Sequence, residues 1–151
     1  MADESGAALD RLGMLLGKWK TEGTTTDASA VPADRIDAID TYERLPGRAL
    51  LHLVDARVGD QKVEGAEIIG YDPERKTYVT QYFGSDGPTA YEASLTQESE
   101  GLIWRMRSKT TRFTGIFSQD GMGITGHWEL LHGKGDWRPW MDITLTREAS
   151  R

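Results

Sequence analysis

The sequence predicts an all-β fold: a closed, antiparallel, up-and-down β-barrel of about ten strands, preceded by one short helix. After Gly17, apolar residues no longer recur at helical spacing, and the chain divides into segments of about eight to twelve residues separated by turn residues. Ten strands joined as consecutive hairpins would make too wide a sheet to stay open, so closure into a barrel is expected. A charged fraction of 28% and 17 glycines suit a sheet with many turns and one solvated face.

The chain begins with a segment that has helical rather than strand periodicity. Ser5 is a candidate cap, and the leucines from Leu9 to Leu16 recur on one face of a short helix. Residues 1–7 are predicted to be flexible. Because the chain has 151 residues, without an internal repeat or a low-complexity tract, it is expected to form a single domain over 1–151.

The ten predicted strands are joined by short turns. These supply Gly, Pro, Asp or Ser where a tight turn needs them, as in PG at 46–47 and HGKGD at 132–136. The segment 27–35 is long enough to form a loop. The predicted strands are 17–26, 36–45, 48–58, 62–71, 75–84, 89–97, 101–108, 111–118, 122–131 and 136–147.

A single pairing register separates an apolar face from a polar face across five consecutive strands. Pairing residues across each turn brings large apolar side chains together, while the other face carries charges, with Glu92 opposite Arg105. The predicted pairs on the apolar face are Thr80–Ala93, Tyr82–Tyr91, Leu95–Leu102, Ala93–Trp104, Tyr91–Met106, Met106–Phe113, Trp104–Gly115, Leu102–Phe117, Phe113–Trp128, Gly115–Gly126 and Phe117–Ile124. Such agreement across four turns indicates that this face lines the barrel interior.

This inner face is richer in aromatic residues than a packed core requires. Gly115 and Gly126 are expected to leave room beside Trp104 and Trp128, and a barrel of this size can enclose a small ligand. The alternative is a filled barrel whose tyrosine hydroxyls point at its mouth. The residues predicted to bind the ligand are Tyr78, Tyr82, Tyr91, Trp104, Met106, Phe113, Trp128, Trp140 and Met141.

Composition argues against several classes of function. The net charge is −6 and no run of Lys or Arg exceeds two residues, so no nucleic-acid or anionic membrane partner is expected. The chain has no cysteine, which excludes disulfides, thiolate metal sites and cysteine nucleophiles, and no metal site is predicted. The N-terminal segment lacks the cationic and apolar runs of a secretion signal, so a cytoplasmic location is expected.

The two ends of the chain supply the predicted closure of the barrel. If the last strand pairs with the first, Trp19 and Arg147 are neighbours, and a guanidinium laid over the indole would seal the barrel floor. A short helix leading into LLGKWKTEG, a GYDP turn at 70–73 and a final TLTR together resemble the calycins, and among them the nitrobindin-like branch. The resemblance covers nearly the whole chain and implies a lipocalin-like barrel.

The same resemblance implies ferric haem bound by a histidine on the last strand. In WRPWMDITLTR the corresponding position is Trp140, and tryptophan offers iron no lone pair, so neither haem nor another cofactor is expected. Pro139 normally marks a bulge in a strand that pairs on both sides. Without a bulge, Trp137 and Met141 face the interior and Trp140 lies outside over His127. With one, Trp140 enters the barrel.

Ionisable residues offer few candidates for catalysis, because the sequence contains no GxSxG, HExxH, P-loop or GxGxxG motif. The candidate buried acid, which could act as a general base, is Glu67, or Asp142 if a bulge turns it inward. The alternative is that both are exposed. Solvated strand positions are predicted for Asp37, Asp40, Glu43 and Glu64, and a surface ion pair for Glu129 with Arg138.

Three functions are compatible with these features. The first is a module that binds a small hydrophobic or aromatic molecule in the barrel. The second is a barrel enzyme of the cyclase or isomerase type acting on a small hydrophobic substrate. The third is a structural domain with no ligand, with a homodimer left open. A buried carboxylate inside the barrel would favour the enzyme, whereas a wholly apolar interior would favour the carrier, since the fold supports both.

Overall fold

The structure is a computed structural model that describes residues 4–26 and 33–149. It consists of a helix α1 (Glu4–Arg11), a 3-10 helix (Leu12–Leu15) and the strands β1 (Gly17–Thr25), β2 (Arg35–Leu45), β3 (Ala49–Val58), β4 (Gln61–Asp72), β5 (Thr77–Gly84), β6 (Gly87–Glu98), β7 (Gly101–Arg107), β8 (Thr111–Phe117), β9 (Gly123–His132) and β10 (Asp136–Arg147). Each strand pairs with its neighbours in sequence, and β1 pairs with β10 to close an antiparallel barrel. The predicted fold is therefore confirmed.

Two predicted segments fall partly outside the described residues. These are the loop 27–35, of which 27–32 are not described, and the segment 1–7, of which 1–3 are not described. Residues 4–7 form the first turn of α1. No helix in the described ranges is long and apolar enough to cross a membrane.

Tight turns fix the register of neighbouring strands. In the β2–β3 turn, Gly47 has a φ of +85°, a conformation that side chains with a Cβ rarely adopt. This turn places Leu45 opposite Ala49, and the same register then pairs Tyr42 with His52 further along the hairpin. Alternation along each strand therefore decides which side chains enter the barrel.

The helical segment closes one end of the barrel. Its side chains Leu9, Leu12 and Leu15 are buried against the core. The Tyr78 hydroxyl, from the inner face of β5, donates a hydrogen bond to the Ala8 carbonyl oxygen at 2.6 Å. Because these contacts bury both the helix and the inner ends of the strands, this end is sealed. We call it the floor.

An arginine and a tryptophan join the floor to the seam between β1 and β10. Trp19 and Arg147 are register partners, and the Arg147 guanidinium lies 4.2 Å from the centroid of the fully buried Trp19 ring. Arg147 also donates to the carbonyl oxygens of Leu16, at 2.5 Å, and of Met14. The cation–π contact expected from the sequence is thus present. Arg147 also makes hydrogen bonds that the sequence did not indicate.

Two predicted registers are wrong by two residues. Tyr91 lies opposite Thr80 rather than Tyr82, and Leu95 lies opposite Trp104 rather than Leu102. Because side chains alternate with a period of two, this error leaves every residue on its predicted face. It does change the outer ion pairs: Glu92 is opposite Arg107, and Arg105 binds Glu98 instead. The pairs predicted across β7, β8 and β9 are confirmed.

We expect Arg147→Met to lower the free energy of unfolding by about 2–4 kcal/mol, because it leaves buried carbonyl groups without their donor and removes the cation–π contact. Methionine retains an apolar stem over Trp19. The matched control is Arg138→Met on the same strand, where the guanidinium is exposed and pairs with Asp136. Urea denaturation of both variants measures the difference, and equal stabilities would contradict the proposed role of Arg147 in the floor.

Candidate functional site

The predicted ligand-binding residues divide into two groups by depth in the barrel. Tyr78, Trp104, Met106 and Phe113 are buried in the core cluster. Tyr78 and Trp104 contact each other edge to face, and the Tyr78 hydroxyl is used by the helix. These four therefore belong to the packed core of the barrel, and their contact with a ligand stays a prediction. The other five are only half-buried: Tyr82, Tyr91, Trp128, Trp140 and Met141.

These five residues form what we call the mouth cluster, at the end of the barrel away from the helix. The Trp128 ring contacts Tyr91 at a centroid distance of 6.1 Å and Trp140 at 6.0 Å, both edge to face. Met141 is the register partner of Trp128 on β10. Aromatic side chains that face a barrel interior and still keep exposed surface indicate that this end is open.

The two glycines expected to leave room for a ligand instead leave room for Phe113. A Cβ atom on Gly115 would lie 2.7 Å from the Phe113 ring, and one on Gly126 would lie 2.6 Å from it. The Phe113 ring also packs on Trp128 at 4.9 Å. The space beside the glycines is thus filled, and a larger residue there would test packing rather than ligand binding.

Pro139 does mark a bulge, and the bulge separates the two tryptophans of WRPWM. The register of β10 on β9 shifts between Pro139 and Met141, which leaves Trp140 as the extra residue. Trp140 turns toward Trp128, as the bulged alternative predicted. Trp137 was predicted to face inward if no bulge formed, and it lies outside, with the Arg112 guanidinium 4.4 Å from its ring centroid.

The interior also contains three ionisable side chains, Asp40, His52 and Glu67, which we call the acid–histidine cluster. His52 Nε2 lies 2.6 Å from Asp40 Oδ1, and His52 Nδ1 lies 2.9 Å from Glu67 Oε1. The remaining carboxylate oxygens accept hydrogen bonds from Thr21, at 2.5 Å, and Thr80, at 2.7 Å. Five neighbouring strands, β1 to β5, thus each contribute one side chain to a continuous network.

The geometry of this cluster requires an additional proton. A neutral imidazole carries one N–H, and its other nitrogen would then present a lone pair to a carboxylate. Both ring nitrogens of His52 face carboxylate oxygens, so either His52 is protonated or one carboxyl group is. Burial lowers the pKa of His52, but hydrogen bonds and charge from Asp40 and Glu67 outweigh it and raise that pKa to about 9. The imidazolium is therefore the form present at neutral pH.

Tyrosine side chains surround the acid–histidine cluster. The Tyr42 ring stacks on the His52 ring at 4.1 Å and 6°. Burial first, and then the charges of Asp40 and Glu67, raise the pKa of Tyr42 well above its usual value. Burial likewise raises the pKa of Tyr82 and of Tyr91, and Glu67 contributes to both shifts. These phenols stay protonated at neutral pH and can act as donors.

Three other candidates from the sequence, Asp142, His127 and Glu129, lie on the outer face. Asp142 lies on the outer face, where its carboxylate is 2.6 Å from His127 Nδ1, so it is not the buried acid. Glu129 pairs with Arg112 rather than the predicted Arg138. Glu67, by contrast, is 3% exposed, which agrees with the buried alternative.

Haem does not fit the side chains present. Trp140 occupies the position of the expected ligand, and its indole offers iron no lone pair. His52 is on the inner face, but both of its ring nitrogens are engaged by carboxylates. His127 points outward, toward Asp142. Over residues 4–26 and 33–149, no group of three or more His, Asp or Glu side chains has the geometry of a metal site.

A shallow groove of about 760 Å³ lies across β4–β7, mostly on the outer face. Charged side chains, including Arg75 and Arg107, form part of its wall, and Arg75 pairs with Glu92 within it. Tyr91 is the one member of the mouth cluster that borders it. This groove is open to solvent and lacks the converging aromatic rings of the barrel interior.

Sequence reasoning missed Asp40 and His52 as interior residues. Asp40 was expected at a solvated position, but it is 8% exposed. The signal that would have found them is the strand alternation: the register pairs Tyr82 with Glu67, Glu67 with His52, and His52 with Tyr42. Continuing the inward-facing register backwards from Tyr82 through three more turns would have placed the acid–histidine cluster inside.

Comparison with known proteins identifies the family of this ten-stranded barrel. The chain belongs to the family described as protein of unknown function (DUF1579), whose model matches residues 5–147. No curated protein matches the chain. The crystal structure of Rv2717c from M. tuberculosis is similar at a TM-score of 0.70 and 12% identity, covering 94% of this chain and 98% of that one.

A second similar structure is the S-type phycobiliprotein lyase CPES from Guillardia theta. It has a TM-score of 0.65 and 8% identity, and the alignment covers 95% of this chain and 94% of that one. At such low identities both likenesses concern the fold alone. The site must therefore be interpreted from its own residues.

The pKa of His52 predicts how stability depends on pH. Because the folded-state pKa of about 9 exceeds the unfolded value of about 6.5, the proton stabilises the fold fully below about pH 6.5, and this contribution is lost as the pH rises through about 9. The loss should be on the order of 3 kcal/mol. Urea denaturation across this range should show it in the parent protein and not in His52→Gln. His127→Gln, at an exposed carboxylate-paired histidine, should retain the parent profile, and a His52→Gln profile parallel to the parent would refute the assignment.

Proposed function

We propose that this protein binds a small hydrophobic or aromatic molecule, without haem, in the open end of its barrel. One observation carries the proposal: the inward-facing residues of the mouth cluster keep exposed surface, whereas those near the floor do not. Leu50 and Ile69, on the inner face near the floor, are at most 1% exposed. Tyr91 and Trp128, on the same inner face, are half-buried. A ligand seated against them would remove the remaining apolar surface from water.

The arrangement of the mouth cluster suits a planar apolar ligand. Edge-to-face contacts hold the Trp128 ring between Tyr91 and Trp140, so three rings are fixed before a ligand arrives. Fixed aromatic walls lower the entropy lost on binding. Membership of the nitrobindin-like branch, with Trp140 in place of the haem-binding histidine, is part of this proposal. Binding of an aromatic or hydrophobic molecule instead of haem would explain why an aromatic residue occupies that position.

The most direct experiment is native mass spectrometry of the purified protein, which detects a small molecule retained from the cell. A neutral fluorophore such as N-phenylnaphthylamine provides the solution assay, because its own emission rises in an apolar site. We expect saturable, stoichiometric binding. If neither a retained molecule nor saturable fluorophore binding is found, the protein is better described as a structural domain.

Two tryptophans on the same strand provide a matched test of where the ligand binds. Trp140→Ala should weaken N-phenylnaphthylamine binding by about tenfold or more, since it removes one wall worth about 1.4 kcal/mol. Trp137→Ala removes an equal ring from the outer face, where it contacts Arg112, and should leave the affinity unchanged. Equal effects of the two substitutions would place the ligand elsewhere. Thermal melting checks that both variants fold.

A further inference from the structure

The acid–histidine cluster is not explained by ligand binding through apolar contact. Asp40 and Glu67 are buried on the inner face, and burying ionisable groups is often no more stable than burying apolar residues of the same size. Among the described residues, the ion-pair partner of both carboxylates is His52. A network of this composition holds a proton in short hydrogen bonds inside the barrel, and such a network can also transfer one.

Two members of the cluster keep some exposed surface, whereas the Glu67 side chain keeps only 4%. The side chains of His52 and Asp40 keep 13% and 12% of their surface exposed. Tyr82 is the register partner of Glu67 on the inner face. Its hydroxyl lies so close to Gly65 that a Cβ there would collide with it, and Gly65 is two residues from Glu67 on the same face of β4. Residues two apart on a strand are separated by roughly 7 Å, so the Tyr82 hydroxyl lies about one inward position along β4 from Glu67. After burial, the Glu67 charge contributes to the raised pKa of Tyr82.

Two phenol groups of the inner face have hydrogens available for a ligand. The Tyr82 hydroxyl makes no hydrogen bond to a residue that the structure describes. The Tyr91 hydroxyl accepts one from Thr111 Oγ1 at 3.3 Å, which leaves its own hydrogen free to donate. A carboxylate base beside hydroxyl donors is the arrangement that removes a proton from carbon next to a carbonyl, because the donors stabilise the oxygen that becomes negative.

We propose that the barrel interior is a general acid–base site for a small hydrophobic ketone or enone, with Glu67 as the base and Tyr82 and Tyr91 as donors to the carbonyl oxygen. This inference rests on the proposed function, since the ketone must first bind between the mouth cluster and the acid–histidine cluster. His52 and Asp40 are positioning residues that fix the Glu67 carboxylate. The proposal answers the question left open by the sequence, because an interior with a buried carboxylate favours the enzyme over a simple carrier.

The proposed step is balanced without a co-reactant. A Glu67 oxygen takes a proton from the carbon next to the carbonyl. The electron pair of that C–H bond forms a C=C bond, and the π pair of the carbonyl moves onto oxygen, where the two phenols donate hydrogen bonds. Return of a proton to the same carbon gives exchange with solvent, and return to a carbon further along a conjugated chain gives an isomer.

The test uses the benzo-fused cyclic ketone β-tetralone and the full chain in D₂O. Proton NMR follows loss of the signal from the methylene group between the ring and the carbonyl, with the buffer rate subtracted. We expect the protein to accelerate exchange saturably, and Glu67→Gln to slow it by about 100-fold or more, as removal of a general base does. The matched control is Glu64→Gln, on the same strand but on the outer face beside Lys62, which should exchange at the parent rate.

Affinity is measured separately, by displacement of N-phenylnaphthylamine with β-tetralone. Glu67→Gln, His52→Gln and Asp40→Asn should bind the ketone within about threefold of the parent while exchanging it more slowly, a split that general loosening of the fold would not produce. If Glu67→Gln does not fold, Tyr82→Phe decides the matter, because it removes a donor without touching the cluster. It should slow exchange by about tenfold.

The outcomes separate this inference from the proposed function. If β-tetralone binds but exchanges at the buffer rate, or if Glu67→Gln exchanges it at the parent rate, the acid–base site is wrong and the binding proposal stands. If the fluorophore binds but β-tetralone does not displace it, the ketone specificity is wrong. If neither binds, both proposals fall.

Discussion

The pairing of β1 with β10 is the constraint on which the rest of the structure depends. Without it, ten strands would leave two unpaired edges and an interior open along its side. Trp19 and Arg147 meet at this seam, and Arg147 reaches from the last strand to the carbonyl groups of the helical segment. One side chain therefore joins the end of the chain to its beginning and fixes the helix against the floor.

Sealing one end with apolar residues determines what the other end can do. The floor holds the fully buried side chains of Trp19, Leu50 and Ile69. Toward the mouth, the apolar core gives way to the acid–histidine cluster and then to half-buried rings. A ligand entering there would meet aromatic walls first and ionisable groups beneath them. The fold thus creates a gradient from apolar to ionisable surroundings along the barrel axis, which flat surface sites cannot provide.

The sequence predicted the strands and their faces well because both depend on local signals. Turn residues such as Gly47 mark the strand ends, and alternation marks the inward phase. Register was less certain, since a shift of two residues preserves every face; this is why Tyr91 was placed opposite Tyr82 instead of Thr80. The position of each inward-facing side chain along the barrel axis, between floor and mouth, could not be predicted. Nothing in the local pattern separates Trp104, packed at the floor, from Trp128, exposed at the mouth.

The acid–histidine cluster was hidden for a different physical reason. Each member, taken alone, resembles a surface residue, because isolated Asp, Glu and His side chains are seldom buried. Burial becomes tolerable only when the three meet, since His52 then supplies a donor to each carboxylate and Thr21 and Thr80 satisfy the remaining oxygens. That compensation is a property of five strands together, and only a register carried through all of them reveals it.

In WRPWM, one extra residue decides which of the two tryptophan side chains faces the barrel interior. Trp137 and Trp140 are three apart, so regular alternation would put them on opposite faces, with Trp137 inside. The bulge after Pro139, in which Trp140 is the extra residue, reverses this assignment. Trp137 then stacks under Arg112 in solvent, and Trp140 closes on Trp128 at the mouth. Because proline cannot donate to the sheet, the bulge is set by the covalent chemistry of the chain. In the proposed nitrobindin-like alignment, this bulge puts an aromatic ring at the position expected for a haem ligand.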